Sequence, residues 1–231
     1  MRFGSFLLDL FFPADCKICK ELLIWNENYI CKSCFDKIEP IKPPLCIKCG
    51  KRIPGGIICL SCRSRRIYFE KARSYGGFSG VLKEAIHLLK YDKKLILADK
   101  LANLMDGTLD LFEAEFHYLL PVPIHKKKQK KRGFNQTELF CDFLSKNRGI
   151  PVLSGLIKET DTHQQVGLDH IARMQNVKGS FRWKGDKRQI EGKRLLLIDD
   201  VMTTGSTVNE CSQILMVEGA ESVYVLTLAS T

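Results

Sequence analysis

Several features that would place the chain in a common class are missing from its 231-residue sequence. No apolar run reaches the roughly 18 residues that a spanning helix requires, so we expect no membrane span. The first residues, MRFGSFLLDLFFPADC, resemble a signal peptide only superficially. Arg2 is their only positive charge, Asp9 interrupts the apolar run, and there is no small-x-small cleavage site. We expect this segment to form an amphipathic helix and the protein to be soluble and cytoplasmic.

Motifs that would explain a function on their own are absent too. The sequence has no GK[ST] of a Walker phosphate loop and no convincing catalytic triad. Trp25 and Trp183 are interpreted as packing residues. The histidines show no metal-ligand spacing and are interpreted as surface or core residues: His87, His117, His125, His163 and His170.

Acidic residues are fewer than basic ones, 26 Asp and Glu against 36 Lys and Arg, which gives a formal net charge of +10. Zinc-bound thiolates would lower this charge but leave the protein basic. A basic surface suits a polyanionic partner, either a phosphorylated ligand or a nucleic acid, and does not choose between them.

Cysteine is abundant and regularly placed. Eight of the ten cysteines form four CxxC pairs in the first 62 residues, separated by eleven, eleven and nine residues. This spacing is typical of zinc ribbons, whereas a disulfide framework is disfavoured without a secretion signal. We predict two structural zinc sites with sequential pairing, although the sequence leaves a crossed pairing open. The ligands would be Cys16, Cys19, Cys31 and Cys34 in the first site, and Cys46, Cys49, Cys59 and Cys62 in the second.

Two cysteines lie outside these pairs. Cys141 and Cys211 each sit among apolar neighbours in a helical pattern, and we interpret both as small core residues.

After about residue 70 strands alternate with helices. Strands are predicted in KARSYGGFSG, over 116–124, over 194–198 and over 222–229. Helices are predicted over 81–91, 94–105, 135–147 with Asn135 as N-cap, and 206–220 closed by Gly219. The alternation predicts an open, mostly parallel α/β sheet flanked by helices, whose ligands bind at the carboxyl ends of the strands. We expect two domains, with the N-terminal helix and double zinc ribbon over 1–68 and the α/β domain over 69–231.

The stretch LLLIDDVMTTGST, residues 195–207, predicts a site at such a carboxyl end. Asp199 and Asp200 end an apolar strand, and a hydroxyl-rich loop with one glycine then leads into a helix. Backbone N–H groups, hydroxyls and the helix N-terminus together suit one phosphate group. Two carboxylates beside a phosphate would repel it unless they hold a diol, a metal, or both. A ligand with a phosphate, a diol and a group that binds a divalent metal, in that order, would be a ribose 5-phosphate that bears a pyrophosphate.

This stretch resembles the phosphoribosyl pyrophosphate (PRPP) motif of type I phosphoribosyltransferases. Three further features, the double CxxC ribbon and the segments LLKYDKK and PVPIHKKKQKKRGFNQTELF, resemble the ComF family of competence-associated proteins. So does THQQVGLDHIARMQNVKGSF, and the resemblance covers essentially the full length. The more family-specific parts are RGFNQ and the series Thr162, Gln165, Leu168, Arg173, Asn176 and Phe181. The resemblance implies a type I phosphoribosyltransferase-like fold with an N-terminal double zinc ribbon.

The resemblance also assigns roles to residues. Asp199 and Asp200 match the acidic pair at the ribose hydroxyls, and the loop for the 5-phosphate corresponds to Thr203, Thr204, Gly205, Ser206 and Thr207. Lys90 and Tyr91 fall at the pyrophosphate loop, where Lys93 and Lys94 add charge; a solvated lysine-rich helix end is the alternative. Residues 125–135 match the mobile segment that closes over PRPP, with Arg132 as its functional residue. Two alternatives remain open for this segment. It could be a solvated basic loop, or it could bind a single strand of nucleic acid with Phe134 as a stacking residue.

The implied chemistry is transfer of the phosphoribosyl group from PRPP, with Mg²⁺, to an acceptor nitrogen. The sequence does not identify the acceptor or show that turnover occurs. The resemblance also implies a role in DNA uptake during natural transformation. The alternative is a single-stranded DNA-binding module, or an adaptor for a competence helicase or another uptake protein, whose PRPP site is regulatory or vestigial.

Overall fold

The structure is a computed structural model that describes residues 14–24, 27–161 and 179–231. Several sequence predictions fall outside these ranges. They concern the N-terminal helix, Trp25, His163, His170 and the family-specific residues between Thr162 and Asn176. Within the described ranges, no helix is long and apolar enough to cross a membrane.

A four-stranded parallel sheet forms the centre of the fold. Its strands are β1 (Ala72–Gly77), β2 (Tyr118–Pro121), β5 (Arg194–Met202) and β6 (Ser222–Ser230), in the order β1-β6-β5-β2. All three pairings are parallel. Two short strands, β3 (Leu156–Lys158) and β4 (Phe181–Trp183), pair antiparallel in a separate hairpin. The predicted parallel α/β architecture is confirmed, while this hairpin has no counterpart in the sequence predictions.

The helices follow the strands in the predicted alternation. Two single-turn helices lie in the ribbons, α1 (Lys32–Phe35) and α2 (Leu60–Arg63). In the described part of the chain the longer α-helices are α3 (Gly80–Lys90), α4 (Leu97–Leu109), α5 (Lys126–Arg132), α6 (Gln136–Arg148) and α7 (Ser206–Val217). Asn135 caps α6 as predicted, because its side chain accepts a hydrogen bond from the Thr137 backbone N–H.

The sheet separates two apolar cores because successive residues of a strand point to opposite faces. Leu196 and Ile198 of β5 join a core with α3, α4, α6 and three cysteines of the first ribbon. Leu195 and Leu197 join the other core with α7, the β3–β4 hairpin and two cysteines of the second ribbon. Cys141 and Cys211 are fully buried, one in each core, and Trp183 packs against the second.

Both edges of the sheet carry additional backbone pairing. Beside β1, Pro40 forms an isolated bridge with Gly76, and the Ile41 N–H donates to the Tyr75 carbonyl oxygen over 2.7 Å. A side chain at position 76 would place its Cβ 3.2 Å from the Glu39 carbonyl oxygen, so glycine permits this close approach. Beside β2, Val152 forms a bridge with Leu119.

Two local predictions differ from the structure. Strand β5 continues past residue 198 to Met202, so Asp199 and Asp200 lie within the strand and only Thr203–Gly205 form the loop before α7. The basic segment 125–135, interpreted from sequence as a loop, contains helix α5. His125 caps this helix by accepting from the Lys127 N–H, and Gly133 ends it in the left-handed conformation at φ = 91°.

Candidate functional site

The eight CxxC cysteines converge in two groups. One contains Cys16, Cys19, Cys31 and Cys34, the other Cys46, Cys49, Cys59 and Cys62, and the ligand atoms of each group lie within 4.8 Å of one another. This is the sequential pairing that the spacing predicted. Four thiolates suit tetrahedral zinc and leave no open coordination position, so both sites are structural.

Backbone N–H groups support the sulfur ligands. The Cys16 sulfur accepts from the N–H groups of Ile18 and Cys31, both over 3.4 Å, and the Cys46 sulfur accepts from the Cys59 N–H over 3.3 Å. Hydrogen bonds of this kind orient metal ligands and stabilise their negative charge. The donor set and its surroundings therefore fit zinc at both positions.

A cavity of about 370 Å³ opens at the carboxyl ends of β2 and β5. Most of the residues predicted to bind PRPP meet there. Among those that line it are Asp199, Asp200, Lys90, Tyr91, Arg132, Thr203 and Thr207. Four lining residues are lysine or arginine and two are aspartate, so the cavity suits a ligand with more than one anionic group.

The two aspartates have different environments because they are neighbours on a strand. Asp200 points to the face of α3 and α6 and is 5 % exposed. Its Oδ2 lies 2.6 Å from the Lys90 Nζ and accepts a hydrogen bond from the Gln136 Nε2 over 2.5 Å. Arg132 extends this network by donating to the Gln136 Oε1, and its guanidinium lies 5.8 Å from the centre of the Tyr91 ring. The ion pair and the hydrogen bond hold the Asp200 carboxyl group in one orientation.

Asp199 points to the other face of the sheet. Its Oδ1 accepts a hydrogen bond from the Asp200 N–H over 2.8 Å. Burial, followed by the charge of Asp200, raises the pKa of Asp199 to about 7, while the charges of Lys90 and Lys158 oppose the shift. A carboxyl group with a pKa of about 7 is partly protonated near neutral pH, which limits the repulsion between Asp199 and Asp200.

This pKa leads to a stability prediction for Asp199→Asn. Between about pH 4 and pH 7 the folded protein holds a proton on Asp199 that the unfolded chain releases, so this group's contribution to stability falls as pH rises. Above pH 7 the buried carboxylate is ionised at a cost that the neutral amide avoids. We expect the variant to be more stable than the wild type by roughly 1–3 kcal/mol at pH 8. The difference should shrink towards pH 5.5, as measured by urea denaturation of both proteins at each pH. A variant that is less stable at pH 8 would contradict the burial argument.

The hydroxyl loop is ordered by its own side chains. The Thr204 and Ser206 hydroxyls lie 2.7 Å apart, and the Thr204 Oγ1 accepts from the Ser206 N–H over 3.3 Å. Gly205 precedes α7 at φ = 73°, a conformation that favours glycine. Thr203 and Thr207 reach the main cavity, whereas Thr204 and Gly205 line a second cavity on the side of the second ribbon.

The predicted basic residues do not all reach the main cavity. Lys90 and Arg132 do, but the Lys94 Nζ lies 4.5 Å from the centre of the Tyr29 ring in the first ribbon. Lys93, at φ = 55°, is not among the residues that line the cavity. Of the three lysines that the sequence placed at the end of α3, Lys90 is therefore the one that brings its charge to the main cavity.

Sequence reasoning missed two residues of the site. Gln136 belongs to the quoted RGFNQ motif, yet only the structure shows that it joins Arg132 to Asp200. Lys158 lies on β3 and lines the cavity, and its Nζ is 5.1 Å from the centre of the Phe181 ring. Burial lowers the pKa of Lys158, and the charge of Lys128 lowers it further. No sequence pattern marked Lys158.

Comparison with known families agrees with the two cysteine groups. Residues 7–63 match the family described as the double zinc ribbon domain. Together with the parallel sheet, this match defines the chain as an α/β protein that carries a double zinc ribbon.

Full-length relatives identify the family. "Competence protein F" of Haemophilus influenzae is 31 % identical over 230 residues, which cover 95 % of this chain and 98 % of the relative. "Competence protein ComFC" of Bacillus subtilis is 24 % identical over 96 % of this chain and 92 % of the relative. The "DNA utilization protein YhgH" of Escherichia coli K12 is 28 % identical over 95 % and 98 %. The chain belongs to the ComF family.

Solved structures show only distant likeness. A glutamine PRPP amidotransferase from B. subtilis aligns at a TM-score of 0.39 and 20 % identity, over 57 % of this chain and 26 % of that one. An adenine phosphoribosyltransferase from Thermoanaerobacter pseudethanolicus aligns at 0.38 and 13 % identity, over 60 % and 83 %.

Proposed function

We propose that the main cavity binds PRPP together with Mg²⁺. The observation that carries the proposal is the convergence, around one cavity, of an acidic pair, a hydroxyl loop before a helix N-terminus, and four cationic side chains. In this proposal the loop Thr203–Thr207 and the first turn of α7 hold the 5-phosphate. Asp199 and Asp200 accept hydrogen bonds from the ribose hydroxyls.

The remaining groups suit the pyrophosphate. Lys90 on α3 pairs with Asp200, and Arg132 on α5 reaches the same carboxylate through Gln136. Mg²⁺ would neutralise the pyrophosphate as a leaving group. The reaction that such a site supports is displacement of pyrophosphate by an acceptor nitrogen at the ribose carbon, where the acidic pair would stabilise positive charge that develops on the sugar ring. Binding of PRPP is tested first, and turnover is tested separately by screening acceptor compounds.

Isothermal titration calorimetry on zinc-replete protein tests the binding claim. We expect Mg²⁺-dependent PRPP binding in the wild type and its loss in an Asp199→Asn/Asp200→Asn variant. The matched control is Asp106→Asn/Asp110→Asn, which removes two carboxylates that pair with Arg148 away from the cavity. Failure of the folded wild type to bind PRPP, or equal binding by the acidic-pair variant, would overturn the proposal.

A second function is favoured by the basic helix α5. Its seven residues include six lysines or arginines, and Lys126, Lys127, Lys130 and Lys131 are exposed. A short exposed row of cations beside the cavity suits the backbone of a single-stranded nucleic acid. The names of the relatives, which refer to competence and DNA utilization, support DNA as the polyanion. We therefore propose that α5 contacts single-stranded DNA.

Replacing Lys127, Lys130 and Lys131 with alanine tests this contact. Each lost phosphate contact should reduce the magnitude of the slope of log affinity against log salt by about 0.7, or about 2 for the three lysines. We expect affinity for an oligonucleotide at low salt to fall roughly tenfold or more. Fluorescence anisotropy over a salt series measures both quantities.

The control for charge alone replaces three exposed lysines elsewhere, Lys37, Lys146 and Lys187. An unchanged salt slope in the α5 variant, or an equal loss in the control, would reject α5 as the contact. PRPP binding by the α5 variant then shows whether the two functions are separable.

A further inference from the structure

The hydroxyl loop touches the second zinc ribbon on the side away from the main cavity. Arg65 follows the last zinc ligand, Cys62, by three residues, and its Nη2 donates to the Thr204 carbonyl oxygen over 2.6 Å. A cavity of about 270 Å³ separates the rest of the two surfaces. It is lined by three ribbon cysteines and Arg65 on one side and by Thr203, Thr204 and Gly205 on the other.

The chain after the ribbon is also tied to the helix that follows the loop. The Asn209 side chain on α7 accepts from the Tyr68 N–H over 2.8 Å and donates to the Arg66 carbonyl oxygen over 3.2 Å. Arg65 thus sits between two fixed points, the zinc ligands before it and the Asn209 contacts after it. The Asn209 hydrogen bonds hold the backbone after Arg65, and this positions the guanidinium beside the loop.

The contact with the Thr204 carbonyl decides where the next N–H points. In a trans peptide the C=O and N–H groups point in opposite directions. With the Thr204 carbonyl turned towards Arg65, the Gly205 N–H is directed away from the ribbon. Glycine tolerates several backbone conformations, so without an anchor this peptide could rotate and turn its carbonyl oxygen towards the anion. The Arg65 donor on the Thr204 carbonyl oxygen favours the orientation in which the Gly205 N–H faces away from the ribbon.

Two details show that the contact is close. A side chain at position 205 would place its Cβ 3.1 Å from the Arg65 Nη2. The Arg65 Nε is buried, and within the described ranges it has no hydrogen-bond partner. The guanidinium is therefore held by the hydrogen bond from its Nη2 to the Thr204 carbonyl oxygen.

We propose that Arg65 is a positioning residue for phosphate binding, through which the second zinc ribbon sets the Thr204–Gly205 peptide of the hydroxyl loop. This inference rests on the proposed function, because it concerns the same site. It goes further in giving the ribbon a part in ligand binding. Under this proposal Arg65 affects binding of the 5-phosphate of PRPP and does not affect binding of its pyrophosphate.

Calorimetry with two partial ligands tests the proposal. We expect Arg65→Ala to bind ribose 5-phosphate roughly tenfold more weakly than the wild type and to bind Mg²⁺-pyrophosphate within about twofold. Arg65→Lys keeps the charge and a donor without the planar fork, so it should recover part of the affinity. Arg63→Ala is the matched control, since Arg63 is exposed in the same segment, and it should change neither ligand.

The outcomes separate the inference from the function on which it rests. Equal ribose 5-phosphate affinity in the wild type and in folded, zinc-loaded Arg65→Ala would overturn the role of Arg65 while leaving the site intact. A parallel loss of both ligands would indicate a general structural defect and would also overturn it. If the wild type itself binds neither ligand, the proposed function fails and this inference with it. If Arg65→Ala loses zinc, the same comparison is made with Arg65→Lys: weaker binding of ribose 5-phosphate with unchanged binding of Mg²⁺-pyrophosphate supports the proposal, and unchanged binding of both overturns it.

Discussion

Replacing Cys46 with serine is expected to empty the second zinc site and unfold its ribbon. Cys46 is fully buried and is held by the Cys59 N–H, so serine leaves a buried hydroxyl where a thiolate bound the metal. Zinc binding in a small module with four cysteine ligands contributes on the order of 10 kcal/mol to its folding. Cys46 and Cys49 also belong to the core beneath the sheet, so the loss extends beyond the ribbon. Metal analysis should find one zinc per chain instead of two, and urea denaturation should show a large loss of stability.

Cys211→Ser provides the matched control. Cys211 is equally buried in the same core but belongs to neither cysteine group. This substitution should keep both zinc ions and cost only what a buried hydroxyl costs, about 1–3 kcal/mol. If Cys46→Ser kept two zinc ions per chain, the assignment of Cys46 as a ligand would be wrong.

Replacing Asp200 with alanine should destabilise the protein strongly, in contrast to the expected gain from Asp199→Asn. The Lys90 side chain is only 16 % exposed, and Asp200 is its ion-pair partner. Removal of one member of such a pair leaves a largely buried charge uncompensated and also leaves Gln136 without its acceptor. We expect a loss of roughly 2–4 kcal/mol at pH 7, measured by urea denaturation.

A double-mutant cycle with Lys90→Ala isolates the pair. The double variant should be less destabilised than the sum of the two single variants, because it leaves no unpaired ammonium. Additive effects would show that Lys90 and Asp200 contribute independently. The opposite expected signs at two adjacent aspartates follow from their contacts, because Asp200 forms the ion pair with Lys90 whereas the raised pKa of Asp199 makes its ionised form unfavourable.

The features predicted correctly from sequence are those encoded over short distances. CxxC spacing places two sulfurs on one knuckle, and Asn135 before an amphipathic run predicts a capped helix. The acidic pair before a hydroxyl loop is also a local pattern; the structure places both aspartates at the main cavity, and their role in binding stays a prediction. Strand β3 has three residues, too few to show a period, and Lys158 on it was therefore missed.

The remaining features depend on contacts between distant parts of the chain. Gln136 and Asp200 are 64 residues apart, and Arg65 and Thr204 are 139 apart. Helix α5 lies in a segment that was interpreted from sequence as a mobile segment or a solvated loop, although lysine and arginine are good helix formers and His125 and Gly133 mark its ends. The extension of β5 to Met202 follows from pairing with β6 up to Ser230, which the sequence of β5 alone does not show.

The bridge between Pro40 and Gly76 has a consequence for the protein in a cell that is short of zinc. Pro40 and Ile41 lie between the two ribbons and cover the outer edge of β1. When the metal is lost, this cover loses both of its anchors and the bare strand edge can pair with another chain. Zinc starvation should thus convert a stable fold into a seed for aggregation, so that metal supply controls how much of the protein survives as well as how well it binds.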